Sequence, residues 1–214
     1  MKHPAELSHR IRSVTGMSIV APSLATSPQS TRRWAARARA TWLSYRGTAI
    51  VDVETTDLDG RICEIAIIDT AGRTLANSLV NPQVPVTAAA SAIHGITDEE
   101  LSSAPTWDTL APSVAWLLRD RPVIAYNAPF DQGVITREMD RVGHQWRPES
   151  PWWCLMRARS DVEGLPWRAL NGGHRALGDC LAALEVLQTL SWGSAHRAKG
   201  ACPQPPAADR PPLP

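Results

Sequence analysis

Apolar residues fall in short uninterrupted stretches through the middle of the chain and in helical spacing further on. The first three stretches are separated by turns at Gly60 and Gly72, which predicts an antiparallel meander. The predicted strands lie at 47–54, 62–69, 74–82, 121–126 and 151–156. The predicted main helices lie at 106–120, 128–143 and 174–190. Because strand–helix alternation follows the meander, the pattern predicts an α/β fold with a mixed five-stranded sheet, antiparallel and then parallel, flanked by helices.

The two ends of the chain follow a different pattern. Trp34, Ala38 and Trp42 stand at i, i+4 and i+8, which predicts a helix with arginines on its other faces. These arginines either contact nucleic acid or form a solvated face while the tryptophans dock, and the second interpretation is favoured. The predicted divisions are a flexible basic head at 1–30, an N-terminal helix at 31–46, one folded domain at 47–192 and a proline-rich disordered tail at 193–214.

Charge is distributed unevenly along the chain. The formal net charge is +1, but residues 1–47 hold eight Lys or Arg and one acid, while residues 48–214 hold 14 bases and 20 acids. An acidic domain with a basic head is typical of a metal-loaded site with a nucleic-acid-binding arm, or else it is a coincidence of composition. The cysteines lack zinc-site spacing, so we expect free thiols in a cytoplasmic, reducing compartment. They are Cys63, Cys154, Cys180 and Cys202. No stretch approaches 18 apolar residues, so we expect no membrane span.

Carboxylates interrupt the apolar pattern at the predicted ends of strands. Asp52 and Glu54 are two residues apart and therefore share one face of the first strand. Asp131 lies in the first turn after the fourth strand, and Asp179 lies early in the closing helix with His174 just before it. If the first and fourth strands are neighbours, these side chains converge, and each carboxylate pair repels by roughly 1 to 4 kcal/mol. A divalent cation is the natural compensation, so we expect metal ligands here.

Three motifs in order carry a resemblance to a known family. "DVETT" at 52–56, "YNAPFD" at 126–131 and "HRALGD" at 174–179 resemble the motifs of the DEDD exonucleases in their histidine-bearing branch, DEDDh. The segment "IHGIT" at 93–97 is also similar, and the resemblance covers about residues 47–190. This ribonuclease H-like family includes the proofreading exonuclease subunit of replicative DNA polymerase, so the resemblance implies a ribonuclease H-like fold and an exonuclease domain over 47–192.

The resemblance implies a 3′→5′ exonuclease, a phosphodiester hydrolase that releases nucleoside monophosphates with two Mg²⁺ or Mn²⁺ ions. Asp52 would bridge both ions, and Glu54 and Asp179 would hold the ion that activates water. Asp131 would support the second ion, and His174 would act as the general base, as imidazole can near neutral pH. The five implied catalytic residues are thus Asp52, Glu54, Asp131, His174 and Asp179, and the four carboxylates among them are the implied metal ligands.

Other residues are expected around the terminal nucleotide. The implied substrate contacts are Thr55, Thr56 and His94. Asn127 is equally a helix cap or a substrate contact. Two positions depart from the family pattern, where many members have His in place of Tyr126 and Gly in place of Asp57. For Glu64 we expect a salt bridge or a sheet-edge contact rather than a ligand role.

The expected partners are single-stranded or frayed 3′ ends of DNA or RNA, with a polymerase or another protein as a possible companion and no membrane. DNA in proofreading or repair is the favoured substrate, and an RNA-trimming exoribonuclease is the alternative, because fold and site are shared. A non-catalytic nucleic-acid- or polymerase-binding module and an endonuclease on the same fold are the other classes. Packing in the core or a lid is favoured over base stacking for the tryptophans Trp152, Trp153 and Trp167.

Overall fold

A five-stranded sheet forms the centre of the protein in a computed structural model, which describes residues 27–45, 47–146 and 152–191. The strands are β1 (Ala49–Thr55), β2 (Ile62–Asp69), β3 (Thr74–Leu79), β4 (Val123–Ala125) and β5 (Trp152–Cys154). Their order is β3-β2-β1-β4-β5. β1 and β2, like β2 and β3, are antiparallel, whereas β4 is parallel to both β1 and β5. The predicted mixed sheet, with the first and fourth strands as neighbours, is confirmed.

Helices cover both faces of this sheet. They are α1 (Pro28–Ser44), α2 (Ala88–His94), α3 (Asp98–Leu101), α4 (Trp107–Leu118), α5 (Ala128–Arg141), α6 (Leu155–Glu163) and α7 (Ala176–Leu190). Helix α6 was not predicted, and the strand predicted over 151–156 is too long, because β5 ends at Cys154. The buried residues of α6 are Leu155, Ala158 and Val162, whose helical spacing is masked in the sequence by charged neighbours.

The two faces of β1 pack against different helices. Ile50 lies in a core cluster with residues of α1, α6 and α7. Val51 and Val53 point to the other side and lie in a cluster with residues of α4 and α5. Because side chains alternate along a strand, Asp52 and Glu54 share the Ile50 face. The carboxylates therefore stand on the side of the sheet that α7 covers.

Helix α1 joins the fold through its small residues rather than its tryptophans. Ser27 caps it by accepting a hydrogen bond from the Ser30 backbone N–H at 3.2 Å. Its buried residues are Ala36, Ala40 and Leu43. Trp34 and Trp42 are 63% and 42% exposed, so the expectation that they dock the helix is wrong. Small side chains let α1 lie close to α6 and α7, and the larger rings are left on its outer surface.

Some predictions concern residues outside the described ranges. Most of the basic head at 1–30, all of the tail at 193–214 and Cys202 lie there, so those predictions stay as they were made. Cys63, Cys154 and Cys180 have free thiols, as expected. Within the described residues, no helix is both long and apolar enough to cross a membrane.

Candidate active site

Three elements bring the predicted acidic residues to one edge of the sheet. Asp52 and Glu54 lie near the end of β1. The parallel pairing of β1 with β4 places the helix that follows β4, and with it Asp131 in the first turn of α5, beside that end. Helix α7 packs against β1 and β2 and carries Asp179 in its first turn. The carboxylates thus come from three separate parts of the sequence.

The carboxylates form a compact group. Asp52, Glu54 and Asp179 each offer an oxygen, and these oxygens all lie within 4.8 Å of one another. Asp131 is not part of this compact triple, but it is only 3% exposed and its charge acts on Asp52. The structure therefore brings three of the four predicted ligands together and leaves the fourth adjacent.

Burial and mutual repulsion raise the pKa values of this group. Burial is the main cause of the raised pKa of Asp52, and repulsion from Asp131 and Asp179 adds to it. Burial also raises the pKa of Glu54 to about 7, although Arg175 opposes this. The pKa of Asp131 rises on burial despite backbone hydrogen bonds that favour its charged form. For Asp179, burial outweighs the lowering of its pKa by His174. Near neutral pH, the four carboxyl groups are therefore not all ionised unless a positive charge compensates their repulsion.

The cluster has the properties of a divalent-cation site. One oxygen of Asp179, Oδ1, is buried without a hydrogen-bond partner. Among the described residues, no lysine or arginine forms an ion pair with any of the four carboxylates. Hard cations such as Mg²⁺ prefer carboxylate oxygens, so this donor set fits such an ion. Buried carboxylates without a basic partner are unfavourable until a cation joins them.

An ion pair stands directly beside the cluster. Glu64 is 4% exposed and pairs in register with Glu54 on the neighbouring strand. Its carboxylate accepts from Arg175 Nη2 at 2.7 Å and from the backbone N–H of Ala176 at 2.9 Å. The salt bridge expected for Glu64 is confirmed, although the sequence did not identify Arg175 as its partner. This pair ties the first residues of α7 to β2.

The loop before α7 is held close to Asp179. A side chain at Gly172 would overlap the Asp179 carboxylate, so only glycine fits there. Gly173 and His174 both have left-handed backbone conformations, with φ of 87° and 54°. His174 is exposed, and for a residue other than glycine this conformation is uncommon. The histidine therefore stands at the solvent side of the carboxylates on a tightly seated loop.

The three predicted substrate contacts are buried, and their polar groups bond within the protein. Thr55 Oγ1 donates to the Asp57 carbonyl at 2.7 Å, and Thr56 Oγ1 accepts from the Arg61 N–H at 3.0 Å. His94 is 5% exposed. Its Nδ1 accepts from the backbone N–H of Ile96 at 3.1 Å, and its Nε2 lies 3.3 Å from the Thr55 carbonyl. In this geometry His94 links α2 to the end of β1, and the two threonine hydroxyls hold the turn that follows β1. Contact of the three residues with substrate stays a prediction.

Asn127 and Tyr126 precede Asp131 and differ in their surroundings. Asn127 occupies the N-cap position of α5, but its side chain makes no capping hydrogen bond and is exposed. Of the two roles expected for Asn127, the helix cap is therefore not formed by its side chain, and the substrate contact stays a prediction. Tyr126 donates its hydroxyl to the Arg168 carbonyl at 2.6 Å, which links β4 to the loop before α7.

A mixed sheet with carboxylates gathered at the end of its central strand defines the class of protein as a nuclease of the ribonuclease H-like type. The chain belongs to the RNase_T exonuclease family, whose pattern matches residues 49–187. The recognition of this family from its motifs is confirmed, and the chain is an exonuclease.

Two relatives and one solved structure illustrate the likeness. The chain is 33% identical to the "Uncharacterized exonuclease CP81" of Escherichia phage 186 over 171 residues, which cover 68% of this chain and 88% of the relative. It is 32% identical to Exodeoxyribonuclease 10 of Escherichia coli strain K12 over 67% of this chain and 70% of that protein. The nuclease domain of 3′hExo, a DEDDh family member bound to rAMP, is 14% identical with a TM-score of 0.55. That alignment covers 68% of this chain and 93% of the other, and it supports the fold.

Proposed function

We propose that the protein is a metal-dependent 3′→5′ exonuclease that releases nucleoside monophosphates from free 3′ ends of DNA. The observation that carries the proposal is the carboxylate triple Asp52, Glu54 and Asp179, whose oxygens lie within 4.8 Å without a basic partner among the described residues. A cluster of this kind holds a substrate phosphate only after its own negative charge is compensated. The proposal therefore includes a divalent cation as a resident cofactor.

The four carboxylates would hold two Mg²⁺ or Mn²⁺ ions. Asp52 would serve both ions, and Glu54 on the same strand, Asp131 on α5 and Asp179 on α7 would complete the ligand set. When bound, the ions would supply charge stabilisation at the attacking and departing oxygens of the phosphate. Asp52 and Glu54 are fixed by the pairing of β1 with β2, so their positions are set before any substrate arrives.

His174 would take the proton of the attacking water. Its imidazole is exposed beside Asp179, and an imidazole accepts and releases protons near neutral pH. We expect His174→Gln, which keeps hydrogen bonding without basicity, to lower kcat about a hundredfold or more with little change in KM. Full recovery of kcat in excess Mn²⁺ would show that His174 is a metal ligand and not the base.

DNA is the proposed substrate because the relative Exodeoxyribonuclease 10 carries that substrate class in its name. RNA trimming is the alternative, since fold and site do not separate the two. A polymerase partner and single-stranded or frayed 3′ ends belong to the same proposal.

Matched DNA and RNA oligonucleotides with a 5′ label test the proposal directly. In Mg²⁺ we expect a ladder that shortens from the 3′ end, with DNA degraded faster than RNA, and no cleavage in EDTA. A 3′-phosphorothioate end should slow the wild-type enzyme. Internal cuts, or undiminished cleavage in EDTA, would contradict the proposal, and faster degradation of RNA would reverse only the substrate assignment.

A further inference from the structure

A basic groove runs along the outer edge of the sheet. Strand β5 is the edge strand and lines the groove together with α1, α6 and the first turn of α5. The groove has a volume of about 610 Å³, within the range of roughly 300 to 1,000 Å³ that is typical of ligand clefts. The residues that matter for its chemistry are Arg32, Arg39, Arg157, Gln132 and Trp153. We call this surface the edge groove.

The charge of the edge groove is positive and largely uncompensated. Its one acidic lining residue, Asp161, lies 3.9 Å from Arg32. Arg39 and Arg157 form no ion pair with a described residue, and both are exposed. The guanidinium of Arg39 lies 5.0 Å from the centre of the Trp42 ring, which steadies it on the surface of α1. Two exposed guanidinium groups facing one cleft favour a polyanionic occupant.

The edge groove reaches the neighbourhood of the carboxylate cluster. Ala128, Pro129 and Gln132 line it and belong to the same turns of α5 as Asp131. Cys154, at the carboxyl end of β5, pairs with Ala125 at the carboxyl end of β4. The groove therefore opens at the carboxyl ends of the parallel strands, where the cluster also lies. A strand whose 3′ end lies at the carboxylates can therefore continue into the groove.

The edge groove is also a feature that the family match does not contain. The RNase_T pattern begins at residue 49, whereas Arg32 and Arg39 lie on α1 before it. One wall of the groove is thus built by a helix added in front of the exonuclease domain. Its small residues seat α1 on α6, and Arg39 of α1 and Arg157 of α6 both line the groove.

We propose that the edge groove binds the sugar–phosphate backbone of the substrate strand on the 5′ side of its terminal nucleotide. Arg39 and Arg157 contact phosphates, and they increase affinity for substrates long enough to reach them. This inference rests on the proposed exonuclease function. It adds that the enzyme favours single strands long enough for their backbone to reach the groove. A peptide paired with the edge of β5 is the competing occupant, but a three-residue strand offers it few hydrogen bonds.

Substrates of two lengths test the proposal in the full-length protein. One is a single-stranded DNA of twelve nucleotides, and the other is the p-nitrophenyl ester of thymidine 5′-monophosphate, which has no strand to place in the groove. At 0.1 M salt we expect R39A/R157A to raise KM for the oligonucleotide about 25-fold, from about fivefold for each lost phosphate contact. Hydrolysis of the ester and kcat for the oligonucleotide should be unchanged, and the slope of log KM against log salt should fall by about 1.4.

Two further variants make the result specific. R39K/R157K keeps both charges and should restore most of the salt dependence. R33A/R119A removes the same number of exposed arginines outside the groove and should leave KM within about twofold. An unchanged KM and salt slope in R39A/R157A, or an equal loss in R33A/R119A, would overturn the groove as the strand site. If the wild type degrades neither substrate in Mg²⁺, the proposed function itself fails, which is a distinguishable outcome.

Discussion

Helix α5 carries two buried acids with opposite surroundings. Asp131 and Glu138 are seven residues apart, about two turns, and are 3% and 4% exposed. Glu138 forms ion pairs with Arg61 at 2.9 Å and with Arg141 at 2.7 Å. Asp131 has no such partner among the described residues, and the charges of Glu54 and Asp179 add to the rise of its pKa. One helix thus holds both an acid that is paired with arginines and an acid that has backbone hydrogen bonds but no cationic partner among the described residues.

The presence or absence of an arginine partner separates acids with a structural role from acids of the candidate active site. Glu64 repeats the pattern of Glu138, since it is buried beside the cluster but paired with Arg175. The chain therefore supplies arginines for buried acids that hold elements together. Among the residues that the structure describes, none forms an ion pair with Asp52 or Asp131, so burial without a counter-charge marks the candidate site better than burial alone.

The strongest test of this comparison replaces one acid of each kind. We expect Asp52→Asn to lower kcat at least about a thousandfold, on the scale of lost charge stabilisation at a reacting phosphate. The melting temperature of the metal-free protein should stay or rise, because one repelling charge is gone. Glu138→Gln is the matched control and should keep kcat within about twofold. Wild-type turnover in Asp52→Asn would remove that residue from the site.

The Glu64–Arg175 ion pair offers a second test, because it is a structural ion pair that lies directly beside the carboxylate cluster. Arg175→Met leaves the Glu64 carboxylate unpaired beside Glu54, so we expect kcat to fall about tenfold and stability to drop. The double variant Glu64→Gln with Arg175→Met removes the unpaired charge and should recover part of both. Steady-state kinetics and thermal melts of the single and double variants measure this coupling. Strictly additive losses would show that Arg175 acts on its own and not through Glu64.

Breaking the ion pairs of Glu138 should lower stability without changing the catalytic rate. We expect Glu138→Gln to lower the free energy of unfolding by about 2 kcal/mol, because Arg61 and Arg141 lose their charged partner. Urea denaturation in EDTA measures the loss. A stability equal to that of the wild type would mean that these ion pairs contribute little, as exposed pairs often do.

The smallest expected effect is a pH dependence of the metal-free protein. Glu54 has a pKa of about 7 in the folded state, well above its usual value, and the pKa of Asp131 is raised too. Because the folded protein binds these protons more tightly than the unfolded chain does, the protonated carboxyls stabilise the fold. This stabilisation is fully present below the pKa values of the unfolded chain, and it is lost as the pH rises through the pKa values of the folded protein. We therefore expect the melting temperature in EDTA to fall by a few degrees between about pH 5 and pH 8.

Added Mg²⁺ should reduce that fall, because a bound cation compensates the ionised carboxylates. Glu54→Gln provides the control, since it removes one of the titrating groups and should flatten the profile. A melting temperature that rises over the same interval in EDTA would contradict the raised pKa values.

The central part of the fold was accessible from sequence because its signals are local. The apolar runs around Asp52 and the turns at Gly60 and Gly72 predicted the meander, and the three motifs predicted which acids meet. Helix α6 was missed because charged residues between Leu155 and Val162 hide its period. The partner of Glu64 lies 111 residues away, and no local pattern connects them.

The burial of His94 could not be predicted either. A histidine in a short motif is as consistent with a substrate contact as with a packed position. Its place is decided by Thr55 and Cys63, whose atoms lie 3.3 and 3.9 Å from Nε2. These contacts join separate strands and a helix, so they exist only in the assembled fold.

Gly172 has a consequence for how the protein tolerates change. Its neighbour Gly173 has a left-handed backbone, which favours glycine, but a Cβ there would meet nothing within 4 Å, so Asn is the least strained replacement. At Gly172 the backbone conformation is ordinary and only the space is missing, because a Cβ would overlap Asp179. In a library of all single substitutions selected for nuclease activity, position 173 should retain asparagine beside glycine, whereas position 172 should reject even alanine.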